Sequence, residues 1–273
     1  MKLERITPLI LTFNEEVNID RCLRSLHWAK NIIVVDSGST DGTTDIVSNY
    51  ENVYCVHRRF DHFADQCNFG LSHVKTEWVL SLDADYICNA GLFEELRSLV
   101  ESSAAGYWSN FRYGIYGKAL RGSLYPPRIV LYRRDSATYR RDGHAHRVVV
   151  DGPLGKLTSF ILHDDRKPLS RWVNSQLKYA ELEAEKLEST PRNQLGWKDR
   201  LRTRYVIAPF LTVLYCLFYK GLILDGWAGI FYTFQRIFAE LTLSLTLLDR
   251  KLRNRNAARE NANAETTKSG NRS

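Results

Sequence analysis

Four apolar runs near 6–13, 31–36, 53–58 and 78–83 alternate with helical patterns near 15–27, 43–50, 64–74 and 91–102. Parallel strands need a long crossover, usually a helix, so this alternation predicts a mostly parallel α/β sheet with helices on both faces. In such sheets ligands gather outside the carboxyl ends of the strands. A chain of 273 residues with 44% apolar side chains can bury a full core of this kind.

The strand ends carry the chemistry. Leu80-Ser81-Leu82-Asp83-Ala84-Asp85 is an apolar strand ending in two carboxylates one residue apart. Residues i and i+2 of a strand point to the same side, so the two charges repel unless a cation lies between them. Hard oxygen ligands of this sort suit Mg²⁺ or Mn²⁺ held together with a substrate diphosphate. An isolated Asp-x-Asp is more often two solvated residues opening a turn, and two further strand ends shift that balance. Ile6 to Phe13 runs into Asn14-Glu15-Glu16, and the strand at 31–36 runs into Asp36-Ser37-Gly38-Ser39-Thr40-Asp41-Gly42-Thr43. Small residues between strand and helix expose backbone N–H groups to an anion, although the same residues are ordinary helix caps.

Taken together, Thr12-Phe13-Asn14-Glu15-Glu16, the 36–43 loop and Asp83-Ala84-Asp85 resemble the family-2 glycosyltransferases, over about residues 4–165. Within that family the chain is most similar to the bacterial branch that adds sugars to the lipopolysaccharide inner core, where Arg59-Phe60-Asp61-His62-Phe63-Ala64-Asp65-Gln66-Cys67-Asn68 matches the third strand and helix. The resemblance implies a GT-A fold, Rossmann-like, and an inverting transfer from a nucleotide diphosphosugar such as a UDP-hexose. It places Thr12, Asn14, Glu15, Asp36, Ser39, Asp41, Arg59, Gln66, Asn68 and Asp83 around the donor, and a divalent metal at Asp83 and Asp85. His163, ending the apolar run Phe160-Ile161-Leu162, would complete the metal shell or touch the diphosphate; a strand-capping histidine is the other reading.

Inverting transfer also needs a base to take the acceptor proton. The branch usually presents a His-Glu pair near Arg140-Arg141-Asp142-Gly143-His144-Ala145-His146-Arg147-Val148, and aligning Gly143 and Arg147-Val148 puts His146 where that Glu would fall. His146 and Asp142 are therefore both candidates, and His144 reads as structural. The aromatic and Arg-rich stretch 106–133, with Tyr107, Trp108, Phe111, Tyr113, Tyr116, Tyr125 and Arg128, suits a sugar ring and a charged acceptor, or ordinary sheet packing.

Beyond a catalytic domain at 1–166, the composition changes. An amphipathic helix and a basic connector fill 167–204, apolar aromatic-rich stretches fill 205–249, and a basic polar tail with no expected regular structure closes the chain at 250–273. The first apolar stretch approaches the roughly 20 residues that span a bilayer. Lys220, Gln235, Arg236 and Glu240 oppose a clean span and favour a monotopic hairpin, with a spanning pair or a soluble helical cap as alternatives. The net charge of +7, concentrated around these segments, suits a membrane surface rather than nucleic acid.

Five cysteines without C-x-x-C spacing read as buried thiols in a reducing compartment, and no signal peptide is recognisable at Met1-Lys2-Leu3. The expected setting is the cytoplasmic face of a bacterial inner membrane, with a lipid-linked or lipopolysaccharide glycan as acceptor. Two other classes share some of these features: a nucleotidyltransferase, although no Gly-rich triphosphate loop is present, and a catalytically silent membrane-bound scaffold.

Overall fold

The structure, a computed structural model, describes residues 2–99, 103–122, 124–142, 145–205 and 207–270, without the side chains of 141–147 and 261–270. It divides into two compact units, 1–167 and 168–273.

The first unit is built from strands β1 (Ile6–Thr12), β2 (Ile32–Asp36), β3 (Val53–His57), β4 (Trp78–Asp83), β5 (Tyr86–Cys88), β6 (Gly106–Ile115), β7 (Lys118–Ala119), β8 (Arg128–Arg133), β9 (Ala137–Asp142), β10 (Ala145–Val150) and β11 (Leu154–His163). Helices α1 (Ile19–Arg24), α2 (Thr43–Ser48), α3 (Phe63–His73) and α4 (Ala90–Ser98) connect the first of them. The main sheet runs β3-β2-β1-β4-β8-β6-β11-β5, with β7 on β6, and β9 and β10 form a separate hairpin.

β1 and β2 are buried along nearly their whole length, as central strands covered on both faces must be. Alternate residues point to opposite faces. Ile10, Leu80 and Leu92 share one core cluster with Leu23 of α1, and Leu9, Val79 and Val35 share another with Cys67 of α3. Gly70 lets α3 lie close to the sheet, since a Cβ there would meet Leu9 Cδ1 at 2.6 Å.

The four strands β3, β2, β1 and β4 are mutually parallel, as expected. Beyond them the expectation of a mostly parallel sheet holds only for β11 on β6. β8 runs antiparallel to both β4 and β6, and β5 antiparallel to β11, so the sheet is mixed. The α/β alternation stops after α4, and β6 returns through β8 without a helical crossover, which forces an antiparallel neighbour.

The second unit comprises α5 (Leu169–Ser189), α6 (Trp197–Arg202), α7 (Ile207–Leu214), a π-helical turn (Tyr215–Tyr219), a 3₁₀ turn (Leu222–Asp225) and the long α8 (Trp227–Gly270). Ala180, Ala184 and Leu187 of α5 pack on Leu243 and Leu247 of α8. Charges that break the apolar runs are turned inward: buried Glu240 accepts from Arg202 at 2.7 Å, and Arg202 also lies 3.4 Å from Glu183. No helix among the described residues is long and apolar enough to cross a membrane. The polar tail, expected to lack regular structure, instead continues α8 to Gly270. Its Ala, Arg, Lys and Glu residues are good helix formers, and the Asp249–Arg253 pair at 2.8 Å supports the turn where α8 leaves its packing partner.

Candidate active site

The carboxyl ends of β1, β2 and β4 lie side by side, with Thr12 in register with Asp36 and Leu11 in register with Asp83. Asp36 is almost completely buried. One of its oxygens accepts from Thr12 Oγ at 3.1 Å and from Ser39 Oγ, and the other from the backbone N–H groups of Gly38 and Ser39, each at 2.9 Å. Four donors saturate a carboxylate. Burial lifts its pKa, but the bonds from Ser39, Gly38 and Thr12 outweigh that and hold it below the ordinary carboxylate value. These four bonds tie Asp36 to the end of β1 and to the start of the 37–43 loop.

Asn14 and the residues after it zip this loop to the end of β1. Asn14 sits in the left-handed region (φ 55°), which Asn tolerates well. Its Oδ1 accepts from Thr40 N at 2.7 Å, and its N–H donates to Ser39 Oγ at 2.9 Å. Glu15 N–H donates to Thr43 Oγ at 2.7 Å, and Asp41 accepts from Thr43 and from Glu16 N–H. Gln66, fully buried, donates to Ser37 Oγ at 2.9 Å and accepts from Arg58 at 2.7 Å. Arg58 is the arginine bonded to Gln66, and Arg59 beside it is exposed. Asn68 faces away from this loop. It exchanges two hydrogen bonds with the backbone of Tyr139, at 2.9 and 3.0 Å, and so fastens the β9–β10 hairpin.

Asp83 and Asp85 have different surroundings. Asp85 is nearly buried and bonds His163 Nε2 at 3.0 Å. Burial opposes its ionisation, but His163 and Lys167 outweigh burial and hold its pKa below the usual range, while Asp85 raises that of His163. The Asp83 side chain is 39% exposed, and Arg128 lies 3.8 Å from it. Around them stand a tight Glu15–Lys167 pair at 2.6 Å and Arg21 on buried Asp164 at 2.8 Å. Burial pushes the Glu15 carboxyl up to about 7, with Lys167 pulling against it.

Among the described residues no three His, Cys, Asp or Glu side chains converge on one cation position. The expected trio of Asp83, Asp85 and His163 is therefore not assembled, because His163 is committed to Asp85. What remains still fits a hard cation brought by a substrate: Asp85 Oδ1 is buried without a hydrogen-bond partner, and Asp83 stands open beside it. Mg²⁺ and Mn²⁺ sites of that type use one or two carboxylates and take their other ligands from phosphate and water.

The candidate bases lie on the hairpin, where the backbone pairs Ala145 with Asp142 and His146 with Arg141. The side chains of Asp142 and His146, and all of Gly143 and His144, lie outside the described residues. Tyr139 ties this hairpin to the Asp-bearing strand through Ser81 Oγ at 2.8 Å. Of the expected acceptor aromatics, Tyr107 and Phe111 are core residues, whereas Tyr113 and Tyr125 ring His163 at 4.8 and 4.9 Å. Of the residues missed in the sequence, Lys167, Asp164 and Tyr139 act through partners distant along the chain, whereas Arg58 holds Asp61 and Gln66 within its own segment.

This arrangement is that of an α/β fold whose polar residues gather at the carboxyl ends of its parallel strands. A sequence model of the family described as glycosyl transferase family 2 matches residues 9–152, more than half of the chain, and the chain belongs to that family: it is a glycosyltransferase. It is similar to the lipopolysaccharide core biosynthesis glycosyltransferase LpsC of Rhizobium meliloti (strain 1021), with 26% identity over 82% of this chain and 84% of that protein. An uncharacterized glycosyltransferase of Rickettsia bellii (strain RML369-C) is 31% identical over 36% of this chain and 34% of its own length. Among solved structures, S. aureus TarS residues 1–349 in complex with UDP-GlcNAc superposes with a TM-score of 0.46 and 13% identity, covering 90% of this chain and 91% of that one, a likeness too loose to bear on the site.

Proposed function

We propose that the chain is an inverting hexosyltransferase that moves a sugar from a nucleotide diphosphosugar, a UDP-hexose, to a lipid-linked or lipopolysaccharide-core glycan at the cytoplasmic face of a membrane. The observation that carries this reading is the juxtaposition of the zipped 37–43 loop with half-exposed Asp83 at adjoining strand ends. The similarity to LpsC supports the acceptor class.

In this reading the loop and Asn14 cradle the nucleotide, and Asp85, locked by His163, fixes the turn that presents Asp83. Asp83, with Asp85 Oδ1 behind it, would hold a divalent metal, which when bound supplies positive charge for the departing diphosphate. The acceptor oxygen bonds to the anomeric carbon as the bond from that carbon to the diphosphate oxygen breaks. The acceptor proton passes to a base on the hairpin, His146 or Asp142, and the leaving electron pair stays on the nucleoside diphosphate.

The test supplies nucleotide sugars with Mn²⁺ and identifies the nucleotide released. The reading predicts a nucleoside diphosphate; release of pyrophosphate from a nucleoside triphosphate and a sugar phosphate would make the chain a nucleotidyltransferase. In the same assay His146→Ala is expected to lower turnover by about 10²-fold, the usual worth of a general base, with donor binding unchanged. A loss confined to Asp142→Asn would move the base to Asp142.

Membrane attachment is proposed from the second unit. Between Ile207 and Leu248 every exposed residue except Gly226 is apolar or aromatic, among them Phe210, Phe218, Trp227, Phe234 and Leu245. Lys220 and Arg236 are half-buried, and Asp225 and Glu240 are buried. Exposed apolar side chains in this number suit an interaction face. Basic residues just before it (Lys198, Arg200, Arg204) and exposed Trp197 suit the headgroup region of an anionic bilayer, entered from one side without spanning.

A further inference from the structure

We propose that Arg128 is a second, protein-borne cation for the diphosphate of the donor; this rests on the donor reading above. Arg128 opens β8, which runs antiparallel to β4 with Leu80 opposite Leu131, so the same register carried onward brings Arg128 beside Asp83. The guanidinium lies 4.8 Å over the ring of Tyr125 and 3.3 Å from Tyr86 Oη, and it is 3.8 Å from Asp83 Oδ2. Stacking on an aromatic face fixes the plane of a guanidinium and leaves its forked N–H edge to meet a phosphate.

A simpler role would be to neutralise Asp83, and the distances argue against that as its whole purpose. The pairs that build this site are in hydrogen-bond contact: Lys167–Glu15 at 2.6 Å, Arg21–Asp164 at 2.8 Å and His163–Asp85 at 3.0 Å, all with a partner nearly buried. Arg128 and Asp83 stand further apart, with side chains 42% and 39% exposed. Neither charge is consumed by the other. A cation and an anion held apart at the mouth of a site suit a ligand with phosphate oxygens for the arginine and a metal for the aspartate, and a nucleoside diphosphate carrying Mg²⁺ or Mn²⁺ offers both. Arg128 then keeps part of the diphosphate affinity when no metal is present.

Calorimetric titration of the full chain with UDP and UMP in excess EDTA tests this. The wild type is expected to prefer the diphosphate. Arg128→Gln should lose that preference by about tenfold or more, the worth of a charge-assisted hydrogen bond, while UMP affinity holds. Arg128→Lys should keep part of it, because the charge survives without the fork. Unchanged UMP binding also shows that the variant is folded. The assignment is overturned if Arg128→Gln keeps the wild-type UDP-to-UMP ratio, if it loses both ligands equally, or if the wild type shows no diphosphate preference in EDTA. A wild type that binds neither nucleotide, with or without Mn²⁺, contradicts the donor reading itself.

Discussion

Asp83→Ala is expected to lose about 10³-fold of its turnover while melting within a degree or two of wild type. The Asp83 side chain is half-exposed and its nearest charged partner, Arg128, stands 3.8 Å away, so its removal deletes charge at the proposed reacting centre and little else. Asp85→Ala should be equally inactive but also destabilised. It leaves the largely buried His163 without its carboxylate, and breaking such a pair costs about 3 kcal/mol, or roughly 6–12 °C in a unit of this size.

The two variants should also differ in their pH dependence. The pKa of Asp85 is depressed in the folded state, so its share of stability is present above the ordinary carboxylate range and is lost as pH falls through the folded value. That of His163 is raised, so its share is present below the ordinary imidazole value and is lost as pH rises through the folded value. Both contributions disappear in Asp85→Ala, which should flatten the profile of melting temperature against pH, whereas Asp83→Ala keeps it. Thermal melts across pH 4–9, alongside turnover, check the pair. Equal stability of the two variants would show that the Asp85–His163 contact does not hold the site.

The second large effect concerns the apolar face. Phe218→Glu combined with Phe234→Glu is expected to reduce partitioning into anionic vesicles at least 10²-fold, on the order set by exchanging two inserted aromatics for two carboxylates. Both positions are 64% exposed, so the fold should tolerate the change. Co-sedimentation in high salt separates the mechanisms, because apolar insertion resists screening and adsorption by basic residues does not. Donor binding should persist, since every donor residue precedes 167. Wild-type protein that stays in solution without detergent, with a face covered by a second copy, would contradict the assignment to lipid.

Much of this was legible in the sequence because it is local. Strand ends that turn polar at Thr12, Asp36 and Asp83 identify the working edge of the sheet, since an apolar run and its terminal residue need no knowledge of distant partners. Side-chain roles were less legible. The four donors to Asp36 and the bonds of Asn68 to Tyr139, 71 residues away, have no signal in the local pattern. His163 carries the right chemistry for a metal, but its pairing with Asp85 depends on how β11 lies against β5. Arg128 meets Asp83 only because β8 enters the sheet antiparallel, a choice no periodicity reveals. The charges inside the apolar runs read as obstacles to a clean span, and where Glu240 goes is not legible: it faces inward onto Arg202, 38 residues away.

The central claim is that Asp83 meets a donor diphosphate through a divalent metal at the joined ends of β1, β2 and β4. Calorimetric titration of UDP into wild type and Asp83→Ala, with and without Mn²⁺, tests it most directly. The account predicts that Mn²⁺ tightens UDP binding by at least about tenfold in the wild type and not in Asp83→Ala, because the carboxylate is the protein's share of the ion's coordination. Equal tightening in both proteins would contradict it.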